Sequence, residues 1–519
     1  MSNVAHLLAG PVAERPDAPA LIEAHRVTTF AQLDLSARRV AALLRARGVG
    51  VGDGVLFFEP PSAELYASLA AVFRLGAVAM FVEPSAGRAV LDAACAMWPP
   101  KALIATPKAH LLRLVSRALW RVPVKVATRG RVLGAWSLRD LGGIPPLPPD
   151  AVAPVDGDAP ALLTFTSGST GAPKAAVRTH GILRAQLDAL GAELTARPGE
   201  CEMVSLPIVV LLNLAGGATT ILPDADLRRP GAIDPGPVLT QLAHHRASRI
   251  TASPAFLERL ADSAGPGGLA PLDAVVTGGG PVFPDIVARV KAAAPYARVV
   301  SVYGSTEAEP IAHVADDETS EADETAMRAG VGLLAGLPDS VVRLRIVRAR
   351  WGTPIPPLGA SALDAMTVPT GEAGEIVVTG PHVVRGYLHG LGDAETKFRV
   401  GEEIWHRTGD LGRLDDRGRL WLLGRASAAI EDDRGTLHPF TVECAARMLL
   451  GGRRVAVAAH EGRRVLVTEG DVDADALRAS LAWAKLDEVR SVARIPMDRR
   501  HNSKVDYGAL ASLLAGRRR

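Results

Sequence analysis

Leu162 to Lys174 reads LLTFTSGSTGAPK, a short apolar run that breaks into a loop of small hydroxylated residues and glycines closed by a lysine. The run has the length and character of a buried strand. Backbone amides free to point outward from the loop, with Ser and Thr hydroxyls between them, form a cradle for phosphate oxygens, and Lys174 can add a charge. The spacing differs from the P-loop, which needs GxxxxGK followed by Ser or Thr, because Gly171-Ala172-Pro173-Lys174 interrupts it. A flexible Ser/Gly linker is the plain alternative. Linkers, however, do not follow an apolar strand and precede a lysine and a helix.

Outward from this loop, apolar strands alternate with amphipathic helical stretches, the pattern of an α/β fold with helix-covered parallel sheets. The periodicity predicts helices at Phe30–Arg47 and Ser62–Leu75 and strands at Gly54–Phe58 and Ala77–Val82. The same alternation returns with a strand at Ala274–Thr277, a glycine turn, a helix beginning after Pro284 and a strand at Arg298–Tyr303. From about Gly374 short strands and turns predict a β-rich subdomain. After Arg425 a small α+β module ends in the basic tail Arg517 to Arg519.

The chain has 519 residues, enough for more than one domain and a large core. Hydrophobic residues make up 48% and charged residues 22%, with 58 basic against 56 acidic side chains. The resulting net charge of +2 gives no electrostatic reason to expect nucleic acid or an anionic membrane as a partner. Only eight of the basic residues are lysines, so a lysine that persists is one whose compact ammonium is needed. Three well-separated cysteines, Cys95, Cys201 and Cys444, fit a reducing cytoplasm better than a disulfide framework. No signal peptide is evident, and the charge-free stretch Val204 to Pro223 is broken by Pro207, Asn213, Gly216 and Gly217, which predicts a buried strand, loop and helix. The histidines show no metal-ligand or hydrolase spacing, and no GxSxG elbow occurs.

TSGSTGAPK resembles the phosphate-binding loop of the adenylate-forming superfamily, and further matches follow downstream in that family's order as far as Lys504. The resemblance implies a nucleotide loop of Thr166, Ser167, Gly168, Ser169, Thr170, Gly171 and Lys174. YGSTE, Tyr303 to Glu307, is similar to the family's second motif: Tyr303 and Gly304 would lie against adenine, Thr306 near the α-phosphate, and Glu307 would hold Mg²⁺, a hard cation that takes carboxylate and phosphate oxygens. Gly279 and Gly280 of TGGGP would border the adenine. In HRTGDLGRLDDRGRLWLLGR, Asp410 matches the ribose-binding carboxylate and Arg425 a ribose or phosphate contact, while Asp415-Asp416-Arg417-Gly418 predicts a hairpin turn. Ser427 stands where the family usually has an Asp or Lys hinge. Lys504 in PMDRRHNSK matches the lysine that neutralises charge during adenylation.

His501-Asn502-Ser503-Lys504, YGSTEAEP and PDADLRRPGAIDP, together with a segment after Pro207 that lacks the aromatic-histidine pair of acyl-CoA ligases, resemble the OleC-type β-lactone synthetases of bacterial olefin biosynthesis. The resemblance implies an N-terminal adenylation domain over 1–425, of α/β subdomains plus a β-barrel-like one, and a small mobile α+β lid over 426–519. It also implies ATP and Mg²⁺ as cofactors, a β-hydroxy fatty acid as substrate, a cytoplasmic location and association with enzymes of the same pathway. An acyl-CoA or acyl-carrier-protein ligase would share the same adenylation motifs.

Overall fold

A computed structural model describes residues 2–82, 87–167, 173–194, 196–348, 350–498 and 503–516. The chain divides into two compact units, Met1–Asp224 with Pro381–Ala394, and Ala225–Gly380 with Glu395–Arg519.

The first unit is built on a seven-stranded sheet in the spatial order Trp136–Ser137, Val124–Ala127, Pro100–Ala105, Gly54–Phe58, Val78–Val82, Pro160–Ser167 and Pro173–Thr179. Every neighbouring pair is parallel except the last. Strands buried on both faces read as continuous apolar runs, as GVLFF at Gly54–Phe58 does. Leu56, Met80, Leu103 and Leu163 from four adjacent strands meet in one core with Leu91 and Leu119 of the covering helices. The helix Phe30–Ala46 starts at a capping box in which Thr29 and Gln32 satisfy each other's backbone amides. Ser62 caps Ala63–Arg74 by accepting from Leu65 N. The charge-free stretch begins at the end of the strand Cys201–Val204 and continues as the helix Pro207–Gly216 and then the strand Thr219–Ile221, so the helix precedes the strand. Gly217, at φ +75°, ends that helix. The buried Asn213 donates to Glu202 Oε2 at 2.7 Å and Thr220 Oγ1 at 3.1 Å, which is why a polar residue is tolerated there. Among the described residues no helix is long and apolar enough to cross a membrane.

In the second unit, parallel strands Arg249–Ala252, Ala274–Gly278 and Arg298–Ser305 are followed by antiparallel ones: Ala308–Ala315, Leu333–Pro338, Leu420–Arg425, Glu403–Leu414, Gly374–Thr379 and Arg343–Val347. The β-rich character thus begins at Ala308, well before the expected Gly374. The tight connection after Ser305 folds the chain directly back on itself, leaving no residues for a covering helix. Residues 426–519 carry a three-stranded sheet, Val455–His460, Arg463–Glu469 and Glu488–Val492. Alternation along its strands sends Val455, Val457 and Leu466 to one core with Val442, Leu477 and Leu481, and Ala456, Val465 and Val467 to another with Leu510 and Leu514.

Candidate active site

In the first unit, the loop expected to cradle phosphate joins two antiparallel strands rather than a strand and a helix. Thr166 faces Lys174 in register, and the helix His180–Leu194 follows only after Pro173–Thr179. Gly168, Ser169, Thr170 and Gly171 lie outside the described residues. The half-buried Lys174 has its ammonium 5.8 Å from the centre of the Tyr387 ring. Its side chain also runs so close to Gly392 that a Cβ there would lie 2.5 Å from it, at a backbone φ of +98°.

The second unit holds a cavity of about 350 Å³, within the size range of small-molecule sites. Gly279, Gly280, Tyr303, Gly304, Asp410, Arg425 and Lys504, seven of the residues singled out in the sequence, all line it. The register that pairs Asp410 with Arg425 across two antiparallel strands brings Arg425 Nε to 3.2 Å from Asp410 Oδ1. Tyr303 reaches the same carboxylate from a different strand, its hydroxyl donating to Asp410 Oδ2 at 2.9 Å. Asp410 also has its backbone N–H bonded to Thr408 Oγ1, and Arg425 donates to Thr408 O. Burial, reinforced by the Asp410 charge, holds the Tyr303 phenol well above its ordinary range, so it stays a donor. The Asp410 carboxylate likewise stabilises the Arg425 cation. The result is a carboxylate clamped at both ends and facing a cavity, suited to accepting hydroxyl groups.

Lys504 is delivered by a short hairpin. Met497 bridges Val505, Asp498 N donates to Lys504 O at 2.7 Å, and Asp498 Oδ1 accepts from Ser503 N and Lys504 N. Asp498 thereby holds the backbone of Ser503 and Lys504. The Ser503 side chain lies against the glycine turn so closely that a Cβ on Gly280 would sit 2.4 Å from Ser503 Cβ. Gly280 is therefore demanded by close approach.

Thr306 and Glu307 form the turn between Arg298–Ser305 and Ala308–Ala315, beside the cavity lining. The Glu307 charge acts on Arg425 and His406. Burial pushes His406 down to about 3, so it is neutral at physiological pH. Among the described residues no three His, Cys, Asp or Glu side chains gather as a metal cage. One carboxylate suits a hard cation only when phosphate oxygens complete its shell.

The cavity also has walls that the motifs did not reveal. Glu443 accepts from Tyr507 Oη at 2.8 Å and Val457 N at 3.1 Å, and Arg447 makes a two-pronged bridge to Asp285 at 2.9 and 2.6 Å while its guanidinium lies 4.8 Å from the Phe283 ring centre. Asp285, adjacent to the expected helix-starting proline, was legible as a start signal for Pro284–Ala293; its ion pair across 162 residues was not. Behind Asp410, Arg407 and Glu375 form a fully buried pair, Nε to Oε1 at 2.8 Å and Nη2 to Oε2 at 2.6 Å.

Residues 9–388 match the model of the AMP-binding enzyme family. The chain belongs to that family. An olefin β-lactone synthetase of Stenotrophomonas maltophilia is 31% identical to this AMP-binding enzyme, over 98% of the chain and 97% of the relative. One from Xanthomonas campestris pv. campestris is 30% identical, over 100% and 98%. Among solved structures, the amide bond synthetase McbA of Marinactinospora thermotolerans superposes with a TM-score of 0.81 at 22% identity, covering 99% of each chain. ATP-bound MatB from Rhodopseudomonas palustris gives 0.79 at 22%, covering 98% of each. These last two likenesses bear on the fold alone, a mixed α/β architecture.

Proposed function

We propose that this adenylate-forming ligase activates a β-hydroxy carboxylic acid as its acyl-AMP and then closes a β-lactone. The observation that carries the reading is the convergence of Tyr303, Asp410, Arg425 and Lys504 on one cavity, in a chain alike over its whole length to two olefin β-lactone synthetases. Asp410 takes the ribose hydroxyls, with Tyr303 and Arg425 holding the carboxylate in place. The turn Gly279–Gly280 and Gly304 admit the adenine, and Thr306 takes the α-phosphate; the stretch from Thr166 to Lys174 matches in sequence the phosphate-binding loop. Glu307 would hold Mg²⁺, whose charge would help neutralise the phosphates.

In the first half-reaction a carboxylate oxygen of the acid attacks the α-phosphorus and pyrophosphate leaves. Three negatively charged groups must converge, so Lys504 works by neutralising charge where the new bond forms. In the second, the β-hydroxyl oxygen of the same molecule attacks the activated carbonyl, the bond to AMP breaks, and the hydroxyl proton leaves to solvent or a nearby base. A hydroxyl held against its own carbonyl has an effective molarity of roughly 10⁵–10⁸ M in well-oriented cases, so no external thiol is required. Residues 426–519, beginning with the short turn Ala426–Ala428 that contains Ser427, would serve as the small mobile domain that follows an adenylation domain of residues 1–425. The three thiols, unpaired in the structure, suit a cytoplasmic setting.

The test supplies a β-hydroxy fatty acid, ATP and Mg²⁺ without CoA. AMP should accumulate over many turnovers beside a β-lactone identified by NMR, whereas the matching acid without its hydroxyl should stall at acyl-AMP. If turnover requires CoA or a carrier protein and the product is a thioester, the enzyme is an acyl-CoA or acyl-carrier-protein ligase.

A further inference from the structure

Between Asp92 and Asp140 the chain runs 47 residues without an acidic side chain while carrying nine basic ones. The near balance of 58 basic and 56 acidic residues overall hides this asymmetry. The same segment concentrates exposed apolar surface. Of sixteen large apolar side chains exposed among the described residues, seven fall within residues 111–136, with Leu114 at 74%, Trp120 at 57% and Leu133 at 96% exposure. Single exposed apolar residues are ordinary; a cluster within a basic patch marks a contact surface.

The patch is anchored from its inward side. Ala109–Leu114 and Arg117–Arg121 are short helical turns joined at the buried Ser116, whose hydroxyl donates to Asp92 at 2.7 Å and accepts from Leu119 N. Leu119 is buried, so the outward face of these turns is set by anchors on the inward one. Arg113 lies over Trp120, 5.7 Å from the ring centre, and donates to Leu133 O, tying the turns to the loop beyond. Arg47 stacks over the half-exposed Trp136 at 3.9 Å. Arg88, Arg113, Leu114, Val115, Arg117 and Trp120 line an open groove of about 600 Å³. Acids do reach parts of the segment: Asp92 engages Ser116 and Arg88, Asp140 engages Arg131, Asp53 engages Lys101, and Glu23 and Glu59 lie within 4 Å of Arg129, so the cationic face rests on Arg113 and Arg117 beside the apolar side chains.

Arginines interleaved with Leu, Val and Trp suit a boundary where apolar side chains leave water while cations stay among phosphates. A nucleic acid would use the arginines but leave the exposed leucines and valine without a role. We propose that residues 109–136 dock this enzyme on a bilayer bearing anionic phospholipid headgroups. This surface is independent of the lactone reading and would stand for any acyl substrate.

The test is co-flotation of the full-length protein with vesicles of phosphatidylcholine alone or with about one-third phosphatidylglycerol. The protein should float with the anionic vesicles at about 0.1 M salt, far less with neutral ones, and lose binding at about 0.5 M. At about fivefold per arginine, Arg113→Gln with Arg117→Gln should weaken binding about 25-fold. Leu114→Ser with Trp120→Ser should also reduce it, with melting temperature and pyrophosphate release unchanged in both double variants. The proposal is overturned if the wild type does not float, if it floats equally on neutral vesicles, or if both double variants float as well as it does. It is also overturned if sedimentation shows a dimer that the substitutions dissociate, because the face is then an interface between copies.

Discussion

Glu443 ties the pH dependence of folding to the wall of the active-site cavity. The side chain is 2% exposed on the helix Pro439–Leu449, and both of its hydrogen bonds reach one oxygen, Oε1. Burial raises the carboxyl from its ordinary 4.5 to about 7, against the opposing pull of Tyr507, Val457 and Arg447. The native state therefore keeps a proton that the unfolded chain releases, and its contribution to stability must fall as pH rises from about 4.5 to about 7. It is flat below and above that window. At 1.36 kcal/mol per pK unit the total is about 3 kcal/mol. Glu443→Gln preserves the shape and an acceptor for Tyr507 but cannot ionise. Urea unfolding of both proteins at several pH values from about 4.5 to about 8 isolates the group, since every other titration is shared. The variant's stability relative to wild type should increase by about 3 kcal/mol across the window. Parallel curves, or a difference that shrinks as pH rises, would refute a buried, proton-holding Glu443.

Three other substitutions probe the proposed chemistry and the buried ion pair. Lys504→Ala should leave a folded protein that binds ATP yet releases pyrophosphate about a hundredfold more slowly, the scale of one preorganised charge contact; unimpaired turnover removes this lysine from the mechanism. Glu307→Gln should raise the Mg²⁺ concentration required in the same assay with little change in melting temperature, whereas unfolding with unchanged metal dependence would make the carboxylate structural. Arg407→Met strands Glu375 as a buried uncompensated charge and should cost about 3–5 kcal/mol in chemical denaturation, with loss below about 1 kcal/mol contradicting the burial of the pair.

Local order along the chain was enough to determine the elements and the family. Five apolar residues specify the strand Gly54–Phe58, and Pro284 marks the helix Pro284–Ala293, because strand burial and helix initiation depend on near neighbours. The phosphate-loop, YGSTE, TGD and HNSK motifs were legible for the same reason: each places small, hydroxylated or charged residues within a few consecutive positions. Their meeting was not. Tyr303 and Asp410 are 107 residues apart and touch only through the registers of a sheet whose strand order is not the chain order. Glu443, Tyr507 and the Arg447–Asp285 bridge carry no motif, since an ordinary helical glutamate or arginine becomes consequential only when burial removes water from it. The fold back at Ala308, ahead of the expected β-rich region, likewise awaited the structure. Apolar patterning marks which residues form strands, whereas the direction in which neighbouring strands pair depends on chain closure and packing across the sheet.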